Sequence, residues 1–302
     1  MKNRALKRLI CGLSLLLVSS PLFSHALKRC LSKDTVVANN YKIKTIIVDA
    51  GHGVRPPGAR GNFSPGAPGS YSFERDVTLA IALKLQKEIE KEMAGVNVVL
   101  TRKTEEDVAW QRRADIANEN KGDLFISLHC NSLAPRRIRE VIGHKHHKPV
   151  YRTVEIPNRS GKGVLMLVYG TWRTHEEENA IKENRIQDDI DTISGAPDPN
   201  DPAAMILTNE YKRKYRKHSI QLAELINNEF VETDGRPSEG IREQGVLVLC
   251  HSAMPAVLVE TGYINNPDDE AYLNSEKGQE EIVASIIRAL KSYKEQVESV
   301  SP

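Results

Sequence analysis

Short apolar runs alternate with longer amphipathic stretches along most of this chain from Tyr41 onward. The short runs are rich in β-branched residues and predict strands at 46–50, 96–101, 123–129, 164–169, 245–249 and 256–260. Apolar residues at helical spacing form one face of a helix at Leu79, Ala82, Leu83, Leu85 and Ile89. Further helices are predicted at 108–120, 219–230 and 282–293. The alternation predicts an α/β fold, a single domain with a mixed, mostly parallel β-sheet flanked by helices on both faces.

Two segments interrupt this alternation. Residues 133–163 are rich in Arg, Lys, His and Pro and show little apolar periodicity. Residues 171–210 contain the acidic run HEEENAIKENRIQDDID followed by APDPNDP. Since loops of this length inside a compact domain are usually functional or disordered, we interpret both segments as insertions into the domain.

The amino terminus has the layout of a cleavable signal peptide. Four basic residues precede an apolar run from Leu9 to Phe23, and small residues follow around His25. Ser19, Ser20 and Pro21 interrupt the run, which favours cleavage after Ala26 over retention as a membrane anchor. We therefore predict a signal peptide at 1–26, a linker at 27–43, a catalytic domain at 44–296 and a tail at 297–302. The mature protein is expected to be exported without a stable membrane span.

Charge and cysteine usage exclude several classes of protein. The 42 basic and 40 acidic residues nearly balance, and removal of 1–26 takes away four basic residues and no acidic ones, so no nucleic-acid partner is expected. Cys30, Cys130 and Cys250 would remain, an odd and widely spaced set without a CxxC motif. This argues against a disulfide framework and against a thiolate zinc site. Any metal would have to use histidine and carboxylate ligands.

Four residues with suitable chemistry are predicted to meet at one edge of the sheet. His52 follows the first strand, His129 ends the third, and Glu260 ends the last, while Glu74 begins the first helix. Taken alone, Glu74 could be a first-turn acid favoured by the helix dipole, and a histidine at a strand end could be an ordinary surface or core residue. Together they favour a zinc site, because two imidazoles and one carboxylate leave one position open for water. A second carboxylate could then transfer the protons.

The same residues lie in four strings that resemble one known family. IIVDAGHG, SFERDVTLAIALKL, DLFISLHCNS and MPAVLVETGYINNPDDEAYL are similar, in this order, to the motifs of the zinc-dependent N-acetylmuramoyl-L-alanine amidases, which include the cell-division amidases. The resemblance covers about residues 44–293. It implies that His52, Glu74 and His129 hold Zn²⁺ and that Glu260 is the catalytic acid/base. The implied reaction is hydrolysis of the amide between N-acetylmuramic acid and L-alanine in peptidoglycan, during wall remodelling or daughter-cell separation.

Two other functions fit a similar pattern. A zinc peptidase that cleaves the stem peptides could use the same ligands, although the GHG and SLHCNS strings favour the amidase. An inactive wall-binding or regulatory module could keep the fold, although all four site residues are present. Asp49 is either a partner that orients His52 or an ordinary loop-capping residue.

The two insertions carry separate expectations. The basic string RRIREVIGHKHHK, with His144, His146 and His147, is expected to contact an anionic wall polymer or a phospholipid headgroup. A second metal site is a weaker alternative, because histidines in a flexible basic loop are more often solvated. The acidic segment around Glu183 resembles the helix that covers the active site in some cell-division amidases. The resemblance implies that Glu183 is autoinhibitory until an activator protein displaces the segment, and it favours the periplasm over an extracellular location. An ordinary solvated helix is the alternative.

Overall fold

One six-stranded mixed sheet forms the centre of this computed structural model, which describes residues 42–61, 63–170, 174–186 and 202–299. The described strands are β1 (Thr45–Ala50), β2 (Asn97–Leu100), β3 (Leu124–Asn131), β4 (Arg136–Lys145), β5 (Lys148–Ile156), β6 (Val164–Tyr169), β7 (Ser238–Gln244) and β8 (Ala256–Tyr263). The order across the sheet is β2-β1-β3-β8-β6-β7. Only the β6–β8 pairing is antiparallel among these neighbours. Strands β4 and β5 form a separate hairpin.

Helices cover both faces of the sheet. They are α1 (Glu74–Glu92), α2 (Trp110–Glu119), α3 (Thr174–Ile181), α4 (Pro202–Asn228), α5 (Leu247–Cys250), α6 (Pro267–Asn274) and α7 (Glu276–Ser299). A π-helical turn extends α3 over Lys182–Ile186, and another extends α4 over Glu229–Thr233. The arrangement confirms the predicted fold class.

Alternation of side chains along the central strands explains the two layers. Ile46 and Val48 of β1 belong to the larger core, together with residues of α1, α4 and α7, while Ile47 between them belongs to the core that contains residues of α2 and α5. Successive side chains of a strand point to opposite faces, so a strand that is apolar at every position is covered on both sides. This burial fixes β1 in the middle of the domain.

The prediction of a strand at 245–249 is wrong. Leu247–Cys250 forms the short helix α5, whose Val248 and Leu249 are buried in the smaller core. The strand that completes the six-stranded sheet is instead β7, with the sequence SEGIREQ. It pairs only with β6 at the sheet edge, and all of its residues are partly or fully exposed. Because an edge strand needs no continuous apolar run, the hydrophobic pattern does not reveal it.

The two insertions contain more regular structure than the sequence indicates. Residues 133–163 contain the β4–β5 hairpin rather than an irregular loop. Residues 202–210 belong to α4, which extends the helix predicted at 219–230 toward the amino terminus. Helix α7 continues to Ser299 and includes the first residues of the predicted tail. The predicted signal peptide lies outside the described residues. No helix of the described part is both long and apolar enough to span a membrane.

Candidate metal centre

His52, Glu74 and His129 form a compact group of possible metal ligands. His52 Nε2 lies 3.1 Å from Glu74 Oε1, and His129 Nδ1 lies 2.9 Å from the same oxygen. One ligand atom from each residue lies within 4.8 Å of the other two. The two imidazole rings meet edge to face with centroids 4.7 Å apart. The structure therefore brings together the three residues that the sequence placed at one sheet edge.

The local backbone explains why these side chains converge. His52 follows β1 in a left-handed conformation, with φ of 62°, and His129 lies near the end of the adjacent parallel strand β3. Gly51 lies between β1 and His52, and a Cβ added there would approach His129 Cε1 to 2.4 Å. Glycine is therefore needed at position 51, because the second histidine ring packs directly against the backbone.

The donor set and its spacing fit a metal ion. Two imidazole nitrogens and one carboxylate oxygen are a common zinc set, and tetrahedral ligands at zinc distances of about 2.1 Å would lie roughly 3.4 Å apart. Burial opposes ionisation of Glu74, yet the two imidazoles outweigh it and hold its pKa far below the usual range. Glu74 also accepts hydrogen bonds from the backbone N–H groups of Ala67 and Cys130, at 2.8 and 3.0 Å. These bonds fix the orientation of an ionised carboxylate.

Two buried arginines hold the backbone of the turn that carries His52. Arg113 donates to the carbonyl oxygens of Ala50 and His52, at 2.5 and 2.8 Å. Arg102 donates to the carbonyl oxygens of Ala50 and Gly51, at 2.9 and 3.0 Å. Because Arg113 and Arg102 together bond three successive carbonyls, the turn has little freedom to move.

Asp49 acts on this turn through Arg113. Its carboxylate accepts hydrogen bonds from Arg113 Nη1, Thr101 Oγ1 and Ser127 Oγ, at 2.6, 2.5 and 2.6 Å. Burial raises the pKa of Asp49, but the Arg113 charge and the two hydroxyls outweigh burial and hold the pKa below its usual value. Asp107 supplies a second carboxylate, 2.6 Å from Arg113 Nη2. Asp49 is therefore bound to the arginine rather than to the His52 ring.

Glu270 anchors the loop that leads into α1 and so into Glu74. Its carboxylate accepts hydrogen bonds from the backbone N–H groups of Ser70, Tyr71 and Ser72. Gly69 precedes this loop, and a Cβ added there would lie 2.1 Å from Glu270 Oε1. The loop therefore packs closely around a carboxylate that lies far away in the sequence.

Glu260 lies directly beside His129 on the neighbouring strand β8. Its Oε2 atom is buried and has no hydrogen-bond partner among the described residues. Burial raises the pKa of Glu260 to about 7, although the charge of His129 opposes the shift. A carboxyl group with such a pKa can both accept and release a proton near neutral pH.

A cavity of about 370 Å³ opens beside His52 and His129. Phe63, Trp110 and Val246–Val248 supply apolar side chains to its wall. The cavity gives a substrate access to the candidate ligands along a partly apolar surface.

Glu183 is not brought to this group. Its side chain is exposed, and Arg185, two residues later, donates to the carbonyl oxygens of Gly122 and Ala253. Gly122 and Ala253 precede β3 and β8, whereas His129 and Glu260 lie toward the other ends of these strands. Because a strand rises about 3.3 Å per residue, the two regions are separated by roughly 20 Å. In this conformation Glu183 therefore does not lie at the candidate metal centre.

Sequence reasoning missed the residues that support the ligands. Arg102, Arg113 and Glu270 are charged and nevertheless buried, and nothing in a hydrophobic pattern indicates a buried charge. The only available signal was indirect. Arg113 lies one helical turn before Ala117, on the buried face of α2, and Glu270 lies within the string that carries the family resemblance.

Comparison with known proteins shows the relationship of this chain to others. The model of the N-acetylmuramoyl-L-alanine amidase family matches residues 46–292 of this chain. N-acetylmuramoyl-L-alanine amidase AmiC of Escherichia coli is 26% identical over 250 residues, which cover 82% of this chain and 52% of that protein. This chain thus spans about half the length of that relative.

Solved structures share the fold. AmiC2 of Nostoc punctiforme superposes with a TM-score of 0.53 at 24% identity, covering 82% of this chain and 96% of that chain. An N-acetylmuramoyl-L-alanine amidase from Clostridium difficile superposes with a TM-score of 0.52 at 21% identity, covering 84% of this chain and 97% of that chain. At such identities the likeness supports the architecture of the domain.

Proposed function

Because this chain belongs to the N-acetylmuramoyl-L-alanine amidase family, we propose that it cleaves peptidoglycan between N-acetylmuramic acid and L-alanine, using Zn²⁺ held by His52, Glu74 and His129. The observation that carries this proposal is the ligand group itself, with the buried and unpartnered Oε2 of Glu260 beside it. The bound metal would supply Lewis-acid activation of the scissile carbonyl and of the attacking water. No organic cofactor is required.

Glu260 is the residue we assign to proton transfer. Its carboxylate removes a proton from the attacking water and later delivers it to the departing L-alanine nitrogen. This transfer balances the reaction, because the cleaved amide yields one carboxyl group and one amine. The pKa of about 7 suits both steps, since the carboxylate must accept a proton and the carboxylic acid must release it.

The proposed place of action lies outside the cytoplasm, since the substrate is a wall polymer. The signal-peptide pattern at 1–26 supports export, and the resemblance to the cell-division amidases favours the periplasm. Wall remodelling or daughter-cell separation would be the process served.

The test separates metal binding from proton transfer. His129→Ala is expected to abolish bound zinc and activity together. Glu260→Gln is expected to retain stoichiometric zinc and the fold while losing on the order of 10² to 10⁴ in rate. Glu90→Gln, an exposed carboxylate on α1, serves as the matched control and should change neither.

Zinc content and mass analysis of the products give the readouts. Release of intact stem peptides from the sugar strand supports the amidase, whereas cleavage within the stem peptide would identify the peptidase alternative. A protein that binds peptidoglycan but releases nothing would be the inactive module. Wild-type turnover in Glu260→Gln would remove Glu260 from the mechanism.

Regulation through the segment around Glu183 is a separate proposal. The family resemblance supports it, but Glu183 would have to move from its described position to reach the metal ligands. If an activator protein displaces such a lid, Glu183→Ala should raise basal hydrolysis of purified peptidoglycan. An unchanged basal rate would favour an ordinary solvated helix.

A further inference from the structure

The β4–β5 hairpin, residues 136–156, is the most exposed regular structure of the described chain. Every residue of β4 is exposed, and in β5 only Val154 is partly covered. The two strands are joined by His146 and His147, both with positive φ, at 48° and 62°. Positive φ at both central residues is typical of the tight type I′ turn, whose twist matches that of paired strands. We call residues 136–156 the hairpin arm.

Contacts across the two strands keep the arm in shape. Arg137 pairs with Glu155 at 2.9 Å on one face, and Arg152 pairs with Glu140 at 3.5 Å on the other. Such exposed pairs stabilise a ribbon only weakly, but they neutralise both acidic groups of the arm. The arm contains six Lys or Arg residues against two Glu, so its net charge is +4 without the histidines.

The remaining cations are free to bind a ligand. Among the described residues, Lys145 and Lys148 at the tip and Arg136 and Arg139 on β4 have no acidic partner. The Arg139 guanidinium lies over the Tyr151 ring, 4.5 Å from its centroid. This concentration of positive charge contrasts with the nearly balanced charge of the whole chain.

The arm also exposes a large apolar surface. Six large apolar side chains of the arm are exposed, among them Val141 at 52%, Ile142 at 56% and Tyr151 at 46%. Val141 and Tyr151 share a face of the ribbon with the Arg137–Glu155 pair, and Ile138, Val150 and Ile156 share the other face with the Glu140–Arg152 pair. A two-stranded ribbon that is solvated on both faces gains little from such residues, so their exposure indicates a contact with another molecule.

The base of the arm is fixed next to the metal centre. The arm leaves β3 shortly after His129, and the Asn265 side chain donates to the carbonyl oxygens of Leu133 and Asn158, which flank the arm on either side. Asn266 donates to the carbonyl oxygen of Arg159. Both asparagines follow β8, the strand that carries Glu260. The arm and the candidate active site therefore share one edge of the sheet.

We propose that the hairpin arm binds the peptidoglycan strand itself, beside the bond that is cleaved. This inference rests on the proposed function. Stem peptides of peptidoglycan carry free carboxylates, which complement Arg139, Lys145 and Lys148, and the carbon faces of the sugars can pack on Tyr151 and the aliphatic side chains. A polymer held along the arm is presented to the metal centre at a raised local concentration.

The distribution of side chains favours a polymer over a lipid surface. An element that lies in a membrane interface has one apolar face and one polar face. The arm instead carries an ion pair on each face, Arg137–Glu155 and Glu140–Arg152, with apolar residues between the charges. Insertion of either face into lipid would bury charged groups, which is costly. A hydrated, carboxylate-bearing strand contacts both kinds of residue without this cost.

The experiment measures binding to insoluble sacculi and compares the hydrolysis of sacculi with that of a soluble substrate. In one variant, three cations of the arm are replaced: Arg139→Gln, Lys145→Gln and Lys148→Gln. The control variant removes the same charge from exposed residues of α1 and α7: Lys87→Gln, Lys91→Gln and Lys277→Gln. Binding is measured by co-sedimentation with purified sacculi in a Glu260→Gln background, which prevents digestion. Hydrolysis of sacculi and of a soluble disaccharide-peptide monomer is measured with Glu260 present.

The arm variant should bind sacculi roughly tenfold more weakly and show a similarly raised KM on sacculi, with kcat and cleavage of the monomer unchanged. Its binding should also respond less to salt than that of the parent, because screening acts on the removed charges. The control variant should match the parent. Thermal melting confirms that each variant is folded.

Sacculus binding within twofold of the parent would overturn the proposal. Co-sedimentation with phosphatidylglycerol vesicles is measured in parallel, and an arm variant that keeps sacculus binding but loses vesicle binding would show that the arm serves a lipid surface instead. If neither the parent nor any variant with Glu260 present cleaves sacculi or the monomer, the proposed hydrolase function has failed, and the arm is judged by sacculus binding alone.

Discussion

Replacement of Arg113 by Met tests whether the buried ion network supports the metal centre. Arg113 is 5% exposed and lies 2.6 Å from both Asp49 and Asp107. Its removal leaves two buried carboxylates without their cation. Breaking a buried pair in this way costs about 3–5 kcal/mol, so we expect the free energy of unfolding of the metal-free protein to fall by about that amount.

Zinc affinity should fall in the same variant. Arg113 also donates to the carbonyl oxygen of His52, which has a positive φ and depends on its surroundings to hold that conformation. Loss of a residue that orients a metal ligand typically lowers metal affinity about 10- to 100-fold. We expect Arg113→Met to lie in this range, and Arg113→Lys to keep the charge but recover only part of the affinity, since lysine lacks the planar fork.

Urea denaturation of the metal-free protein and competition with a zinc chelator provide the two measurements. Arg112→Met is the matched control, because Arg112 is the neighbouring residue on α2 and its side chain is 52% exposed. The control should lose less than about 1 kcal/mol, as surface changes do. A loss this small in Arg113→Met, with unchanged zinc affinity, would refute the reasoning.

Two further predictions concern the same turn. Gly51→Ala places a methyl group 2.4 Å from the His129 ring, so we expect zinc to bind at least tenfold more weakly. Competition with a chelator measures this affinity, and a value equal to that of the parent would contradict the close approach. The pKa of Asp49 is lowered on folding, so its stabilising contribution is present above the unfolded value of about 3.9 and is lost as pH falls through the folded pKa. The urea concentration at the midpoint of unfolding of the metal-free protein should therefore decrease as the pH is lowered below about 4, and it should decrease less steeply for Asp49→Asn. Parallel plots of this midpoint against pH for the two proteins would argue against this role of Asp49.

The sequence predicts those parts of the fold that depend on continuous burial. Strands β1, β3 and β8 are buried on both faces, so each appears as a largely apolar run, and the residues at their carboxyl ends could be placed together. His52, His129 and Glu260 were located in this way. The zinc set followed from their chemistry and from the family resemblance.

What the sequence did not predict depends on tertiary contacts. Strand β7 is half-exposed at the sheet edge, and the hairpin arm is held by cross-strand pairs rather than by a core, so neither produces an apolar pattern. Arg113 and Glu270 stay buried only because partners distant in sequence accept or donate their hydrogen bonds. Such pairings become visible only when the chain is folded.

The reversed direction of β6 places the two insertions at opposite ends of the sheet, so each can change without the other. Because β6 runs antiparallel to β8, the chain leaves β6 at the end of the sheet opposite the metal centre, and α3 begins there. The hairpin arm, in contrast, leaves β3 at the catalytic end. Mutations that lengthen, shorten or recharge one insertion need not disturb the other. A protein engineer could therefore exchange the hairpin arm while leaving α3 and its contacts intact.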